Sequence, residues 1–289
     1  MQRIKAHGAR EGVLRNMSRI RKIAPKILLS LPVPIVILVL WSQGVKYGWT
    51  LPFDIRLSRV PAPSAVLRRI ADLTVGGYLN DPYSGTLWKH TYASVVRVFS
   101  GFGLAAITGI PLGVLMGRSK IASELLEPTI NLIRPIPVTA WVPLALIMIG
   151  IGDRSTIFLV FLAALFPIIL NTVTAVEQVP ERLLEASAML GTSRAKALWK
   201  VVFPAALPGI IGGLRIAVGL AWALLVVGEM TGITVGLGAM ITEAKEVSKT
   251  DLIVAGMFII GILGFLSDRL IIWIVRLIAG RRPILAGSK

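Results

Sequence analysis

Apolar runs of about 20 residues recur along this chain, and they constrain its fold more than any other feature. An α-helix needs a run of about this length to cross the hydrocarbon core of a bilayer. Only 16% of the 289 residues are charged, whereas a typical soluble domain has about 25%. The sequence therefore predicts an all-α membrane protein.

Six of these runs are interpreted as transmembrane helices. They are Ile27–Val45, Thr91–Met116, Ile136–Gly150, Thr156–Val176, Pro204–Gly228 and Leu252–Ile274. Pro135, Pro137 and Pro143 make a straight third helix unfavourable, because proline removes a helical hydrogen bond. The stretches 117–134 and 229–250 are interpreted as a cytoplasmic connection and an outer loop.

Basic residues concentrate at both ends of the chain. Residues 1–26 contain eight Lys or Arg and one acidic residue. Such segments stay in the cytoplasm, and six crossings place both termini on the same side. We therefore predict a cytoplasmic tail at 1–26, a transmembrane domain at 27–279 and a second cytoplasmic tail at 280–289. Outside the membrane, Ser64 is predicted to cap a short surface helix, Ala65–Leu73.

A stripe of small residues runs along the second predicted helix. Gly101, Ala105, Gly109, Gly113 and Gly117 follow one another at intervals of four residues. This spacing places them on one face of a helix, where small side chains let a second helix approach closely in lipid. The stripe predicts a helix–helix contact.

Several kinds of site are excluded by the residues that the chain lacks. With no cysteine there is neither a disulfide nor a thiolate site. The two histidines, His7 and His90, are far apart and are predicted to be surface residues. No phosphate-binding loop, paired catalytic acids or nucleic-acid-binding motif is found, so any ATP would be bound by a partner. We predict no enzyme activity, metal site or nucleic-acid partner in this chain.

The segment from residue 180 to 203 is polar, unlike its neighbours. Glu185 suits the positive end of a helix, and Gly191 can adopt the left-handed conformation that ends one. Ser193 can cap a second short helix, which is predicted to stop before Pro204. Two short helices too polar for lipid, on the cytoplasmic side, favour contact with a soluble partner.

The same segment resembles a motif of a known family. It reads Glu185-Ala186-Ser187, three residues, Gly191, nine residues, Val201-Val202-Phe203-Pro204. Membrane subunits of ABC importers carry Glu-Ala-Ala, three residues, Gly, nine residues, Ile-x-Leu-Pro, so the differences are conservative. From about Pro61 onwards the chain is similar to the branch that imports nitrate, sulfonate, taurine and bicarbonate, notably in "RPIPVTAWVPLALIMIGIG" and "GEMTGITVGLGAMI".

The resemblance implies a complete transport assembly in a bacterial inner membrane. It implies a type I importer permease fold, a homodimer of permeases, two cytoplasmic ATPase subunits that bind ATP and Mg, and an extracytoplasmic substrate-binding protein. The polar segment would be the coupling helix seated on the ATPase. Its candidate coupling residues are Glu185, Ala186, Ser187, Gly191 and Pro204.

Arg215 is the main candidate for the path of the solute. It lies eleven residues into the fifth predicted helix, about 16 Å deep, where an arginine costs roughly 2.5–3.5 kcal/mol. We expect it to face water or the subunit interior, with Trp222 beside it. An ion pair with an acid such as Glu229 is the alternative. Arg134 and Arg97 are weaker candidates for the path.

A secondary transporter driven by an ion gradient is the alternative function. That class favours acidic residues buried in the middle of helices and an internal repeat. Here Glu229 and Asp268 lie near the ends of predicted helices, and we find no repeat. The solute itself stays open among nitrate, bicarbonate, taurine, other sulfonates and non-anionic compounds, as does a heteromeric permease pair.

Overall fold

The structure of the chain is a computed structural model that describes residues 32–79 and 81–279. Both predicted tails, 1–26 and 280–289, lie outside this range. The described residues form two compact units, 32–68 and 69–279. The first unit contains helix α1 (Pro32–Lys46) and a short antiparallel hairpin of β1 (Thr50–Leu51) and β2 (Ile55–Arg56).

Helices account for nearly all the remaining elements. In chain order they are α2 (Pro63–Val75), α3 (Leu87–Arg118), α4 (Lys120–Ile133), α5 (Val142–Ile149), α6 (Asp153–Glu177), α7 (Glu181–Met189), α8 (Arg194–Ala197), α9 (Phe203–Glu229), α10 (Leu237–Glu246) and α11 (Thr250–Ala279). The surface helix predicted at 65–73 is α2. It begins one residue before Ser64, so Ser64 lies inside the helix and does not cap it.

Four helices in the described part of the chain are long and apolar enough to cross a membrane. They are α3, α6, the continuous helix Arg194–Glu229 that includes α9, and α11. They correspond to the second, fourth, fifth and sixth predicted helices. The described part of the first is α1, whose 15 residues span about 22 Å, less than a core of about 30 Å.

A sharp bend lies at the start of the third predicted helix. Helix α4 and the helical stretch Val138–Ile149, which includes α5, meet at an angle of 82°, and together they could make one crossing. The expected effect of Pro135 and Pro137 is seen at this bend, and the stretch 117–134, interpreted as a cytoplasmic connection, contains helix α4. Ser119 caps α4 by accepting a hydrogen bond from the amide of Ala122. This cap starts a new helix directly after α3.

Helix α6 packs against α3 through the predicted stripe of small residues. A methyl group added at Gly113 would lie 2.6 Å from Cβ of Thr172, and one at Gly117 would lie 2.9 Å from Cβ of Val176. Gly101 likewise faces Val160. The stripe is thus a helix–helix contact, as predicted, and α3 and α6 run in the same direction along it.

On another side, α6 packs against α9 in the opposite direction. Gly209 of α9 faces Ala175, Gly213 faces Asn171, and Gly228 faces Thr156. A methyl group at Gly209 or Gly213 would come within 2.6 Å of a neighbouring Cβ. Helix α6 is therefore the central helix, in close backbone contact with α3 and α9.

The predicted outer loop 229–250 contains a helix, α10, which sequence reasoning missed. Leu237, Met240 and Ala244 are fully buried and recur at the spacing of one helical face. The glycines around them, Gly236 and Gly238, were interpreted as loop residues. They instead allow the backbone to approach buried side chains at the start of α10.

The contact between α3 and α6 makes a specific prediction. We expect Gly113→Ala to destabilise the protein by about 1–3 kcal/mol, because overpacking a tight contact forces the helices apart. Gly103→Ala is the matched control, since a methyl group there meets no atom within 4 Å. Thermal unfolding in detergent micelles measures both, and equal midpoints for the two variants would contradict the contact.

Candidate functional site

Helix α7 in the polar segment ends at a Schellman motif. The amide of Thr192 donates to the carbonyl of Ser187 (3.0 Å), and the amide of Gly191 donates to that of Ala188 (2.9 Å). Gly191 has φ = +71°, the left-handed conformation that favours glycine at this position. The predicted role of Gly191 as a helix terminator is confirmed.

The second half of the polar segment differs from the prediction. Ser193 occupies the cap position of α8, but its hydroxyl makes no capping hydrogen bond. The helix does not stop before Pro204. It passes through a π-helical turn, Leu198–Val202, directly into α9. The wider turn accommodates Pro204, whose ring would clash with the carbonyl four residues earlier in a regular α-helix.

The outer surface of the polar segment combines charged and apolar groups. Glu185 and Ala186 are exposed, and the side chains of Met189 and Leu190 are 87% and 84% exposed. Ser187 is buried, and its hydroxyl donates to the carbonyl of Leu184 (2.8 Å). Exposed apolar side chains on a polar helix are typical of a surface that another protein covers.

The inner surface of the same segment is part of the hydrophobic core. Val176 of α6 and Val202 and Ile210 of the α9 region belong to one buried cluster, and Leu184 and Leu198 pack against it. Because close-packed interiors transmit displacement rather than absorb it, a push on α7 would reach α6 and α9.

Arg215, the main candidate for the solute path, forms an ion pair with Asp268 of α11. Its Nε lies 2.6 Å from Oδ1 and its second guanidinium nitrogen 3.2 Å from Oδ2. The side chain of Arg215 is 48% exposed and that of Asp268 is 21% exposed. The acid that pairs with Arg215 is thus Asp268, and not Glu229 as considered from the sequence.

The other three path candidates differ in their surroundings. Trp222 is 3% exposed, and its indole N–H donates to the hydroxyl of Ser267 (3.1 Å), so it packs between α9 and α11. Arg134 is exposed at the end of α4. Arg97 is buried in a polar network. The described structure therefore leaves Arg215 and Arg134 accessible and encloses the other two.

Glu229 is the centre of this network. From the sequence it was considered as a partner of Arg215, and its role here was not predicted. Its fully buried carboxylate accepts hydrogen bonds from Arg97 (2.6 Å), the hydroxyl of Ser94 (2.7 Å) and the amide of Gly238 (2.8 Å). Arg97 also pairs with Asp153 at 2.7 Å. The sequence did contain a signal for this site. An acid ends an apolar run and is followed by the glycines of Gly236-x-Gly238, and a side chain at Gly236 would collide with the carboxylate of Glu229.

His90 completes the network and was wrongly predicted to be a surface residue. It is buried, and the amide of Gly236 donates to its Nδ1 (3.1 Å). The first turn of α10 is thus held by side chains of α3 and α9 in place of a local cap. The network joins four helices, α3, α6, α9 and α10, at the end of the bundle opposite the polar segment.

A second, partly buried cluster lies at that same end. Arg69 donates to Asp251 (2.7 Å) and to Asp81 (2.9 Å), and Lys249 also donates to Asp81. Burial raises the pKa of Asp81, but hydrogen bonds from Lys249, the amide of Tyr83 and Arg69 outweigh it and lower the pKa to about 2. These pairs fix the loop before α3 to the start of α11.

The charged groups of these two clusters bond to one another and to neighbouring hydroxyl and amide groups. Between residues 32 and 279, position 80 excepted, no group of three or more His, Asp or Glu could hold a metal ion. The buried acids are engaged by arginine, lysine, hydroxyl or amide donors, as buried charges require. The polar segment, Arg215 and Arg134 are exposed and are therefore available to partners.

The family comparison and the comparison with single relatives both point to membrane transport proteins. A family model described as "binding-protein-dependent transport system inner membrane component" matches residues 109–282. The taurine transport system permease protein of Escherichia coli is 37% identical over 84% of this chain and 86% of its own length. The nitrate import permease protein of Synechocystis is 36% identical over 76% of this chain and 81% of its own.

A solved structure shares the fold. An inward-facing structure of the MetNI methionine ABC transporter matches with a TM-score of 0.56 and 22% sequence identity. The match covers 66% of this chain and 94% of the other. At this identity the likeness concerns the arrangement of helices.

The buried network makes a prediction about stability. We expect Arg97→Gln to destabilise the protein by about 3–5 kcal/mol, because it leaves the carboxylate of Glu229 buried without its cation. The double variant Arg97→Met, Glu229→Met should cost less, since it removes both charges. Lys120→Gln is the control: it breaks an exposed pair with Glu124, worth about 0–1 kcal/mol.

Unfolding in detergent micelles measures all three variants. A cost for Arg97→Gln no larger than that of Lys120→Gln would show that the network contributes little to stability. A double variant less stable than Arg97→Gln would contradict the argument from an unpaired buried charge.

Proposed function

The chain belongs to the binding-protein-dependent transport system inner membrane components as the permease subunit of an ABC importer, and we propose that it imports a small anion. Nitrate, bicarbonate, taurine and other sulfonates are the candidate class. The observation that carries the proposal is the likeness to the taurine and nitrate permeases over most of the chain. The family match gives no support to the alternative of an ion-gradient-driven transporter.

The polar segment is proposed to transmit force from a cytoplasmic ATPase. Its exposed Glu185, Met189 and Leu190 supply mixed contacts for a protein partner, and its inner side packs into the core with α6 and α9. ATP and Mg would be bound by two such partners, since the chain has no phosphate-binding loop. Gly191 sets the angle between α7 and α8.

The remaining partners follow from the same assembly. We propose two copies of the permease in a bacterial inner membrane, with an extracytoplasmic binding protein at the end of the bundle that carries Glu229. The polar segment and both termini would then lie in the cytoplasm. The basic sequences at both ends of the chain support this orientation.

Arg215 and Arg134 are proposed to line the solute path. Arg215 offers a half-exposed guanidinium near the middle of α9, and its partner Asp268 compensates the charge when no solute is present. An arriving anion would compete with Asp268 for the same donors. The burial of Trp222 and Arg97 supports packing roles for both.

Coupling makes a prediction at Gly191. A Cβ atom added there meets no atom within 4 Å, so we expect Gly191→Val to act mainly through backbone strain of roughly 1–2 kcal/mol. We expect it to abolish the stimulation of ATP hydrolysis by the loaded binding protein. Gly191→Asn is the matched control, because asparagine tolerates the left-handed conformation.

The assay uses the assembled complex in liposomes. Glu185→Lys should also lose stimulation, because it reverses the charge in the middle of the exposed face of α7. Normal stimulation in both Gly191→Val and Glu185→Lys would show that the segment is not the transmitting element, while leaving the permease function itself untouched.

The solute path makes a prediction at Arg215. We expect Arg215→Gln to lose uptake of the anion and Arg215→Lys to keep part of it, because a lysine retains the charge without the planar fork. Asp268→Asn separates a role of Arg215 in the solute path from a purely structural ion pair. It frees the guanidinium for the solute, so a path role predicts more uptake than in Arg215→Gln.

Uptake is measured in complexes whose assembly and basal ATP hydrolysis match the parent. If Asp268→Asn and Arg215→Gln lose uptake equally, the pair is structural. Normal uptake by Arg215→Gln would likewise remove Arg215 from the path.

A further inference from the structure

An apolar groove lies between the last turns of α3 and the start of α9. Its volume is about 320 Å³. Ile110, Val114 and Leu115 line one side, and Trp199 and Phe203 line the other. We propose that this groove binds one anionic phospholipid, with an acyl chain along the groove and the phosphate at Arg118.

The walls of the groove suit a hydrocarbon chain rather than a transported solute. Apart from Arg118 and Ser119 at one end, every side chain that lines it is apolar. Trp199 is 68% exposed and lies against Phe203, with ring centroids 5.7 Å apart. An exposed tryptophan at the end of a transmembrane helix is typical of the level of the lipid headgroups.

The charge at the end of the groove selects the headgroup. Arg118 is the last residue of α3 and is exposed. Within residues 32–79 and 81–279, no carboxylate forms an ion pair with it. A guanidinium presents several donors in a plane that matches phosphate. A lipid with a net negative charge complements this site better than a zwitterionic one.

The dimensions agree with one membrane leaflet. Ile110 and Arg118 are eight residues apart on α3, which corresponds to about 12 Å along the helix. Half of a bilayer core is about 15 Å. A phosphate at Arg118 would therefore lie at the membrane surface while its acyl chain reaches the far end of the groove at Ile110.

The groove also adjoins the polar segment. Arg118 and Leu198 line both this groove and a second cavity, of about 480 Å³, beneath α7. A bound lipid would contact the π-helical turn at Trp199 and so hold the base of the polar segment against α3. This inference does not depend on which solute the importer carries.

The test is native mass spectrometry of the full-length chain released from nanodiscs of phosphatidylglycerol and phosphatidylcholine. The parent should retain one phosphatidylglycerol per chain in preference to phosphatidylcholine. Arg118→Gln should weaken this retention about fivefold, the contribution of one basic residue near a membrane surface. Lys120→Gln is its control, an exposed basic residue that does not line the groove.

A second pair of variants tests the groove itself. Leu115→Trp fills the groove and should abolish specific retention, whereas Leu104→Trp should not. The two leucines are on the same helix and are 52% and 51% exposed, but only Leu115 lines the groove. Because both are exposed, neither variant needs to disturb the core.

Three results would overturn the proposal. In the first, Arg118→Gln and Leu115→Trp retain phosphatidylglycerol like the parent. In the second, Arg118→Gln loses the lipid while Leu115→Trp keeps it, which means a headgroup contact without a groove. In the third, Leu115→Trp separates dimers into single chains at an unchanged lipid count, which makes the groove an interface between copies.

Discussion

Close backbone contact along α6 is the constraint on which the rest of this structure depends. Lipid tails are as apolar as leucine, so helices in a bilayer gain little from burying apolar area against each other. They associate when their surfaces fit closely enough for dispersion contacts and polar bonds to form. Glycine on α3 and α9 removes the side chains that would prevent this fit, and α6 fills the space. The buried network and the polar segment both extend from the three helices that this contact fixes.

The network around Glu229 shows why that rigidity is needed. A buried carboxylate is tolerated only when donors surround it closely. Here the donors come from α3 and from the first turn of α10. Those donors meet Glu229 of α9 only if α3 and α9 keep their positions on α6. In return, Glu229 and Ser94 accept hydrogen bonds from the amides of Gly238 and Leu237 at the start of α10. The same acid therefore stabilises both the packing of α3 against α9 and the start of α10.

Features encoded by local spacing could be predicted from the sequence, and features that depend on distant partners could not. The stripe from Gly101 to Gly117 and the helix terminator Gly191 each express a rule about neighbouring residues. His90, Glu229 and Trp222 were misjudged because their partners lie 146, 132 and 45 residues away. Helix α4 was missed because its apolar residues are exposed and alternate with charges, a pattern shared by surface connections.

The two ends of the bundle differ in whether their charged side chains are paired. At one end Arg97 and Arg69 are buried, and each is paired with acids of the same chain. At the other end Arg118 has no acidic partner among the described residues, and Met189, Leu190 and Trp199 are exposed. Exposed apolar groups beside an unpaired cation are costly in water but favourable against a partner protein or a lipid. The unsatisfied surface therefore lies at the end where we propose that an ATPase binds, and α6 and α9 are the helices that connect it to the paired end.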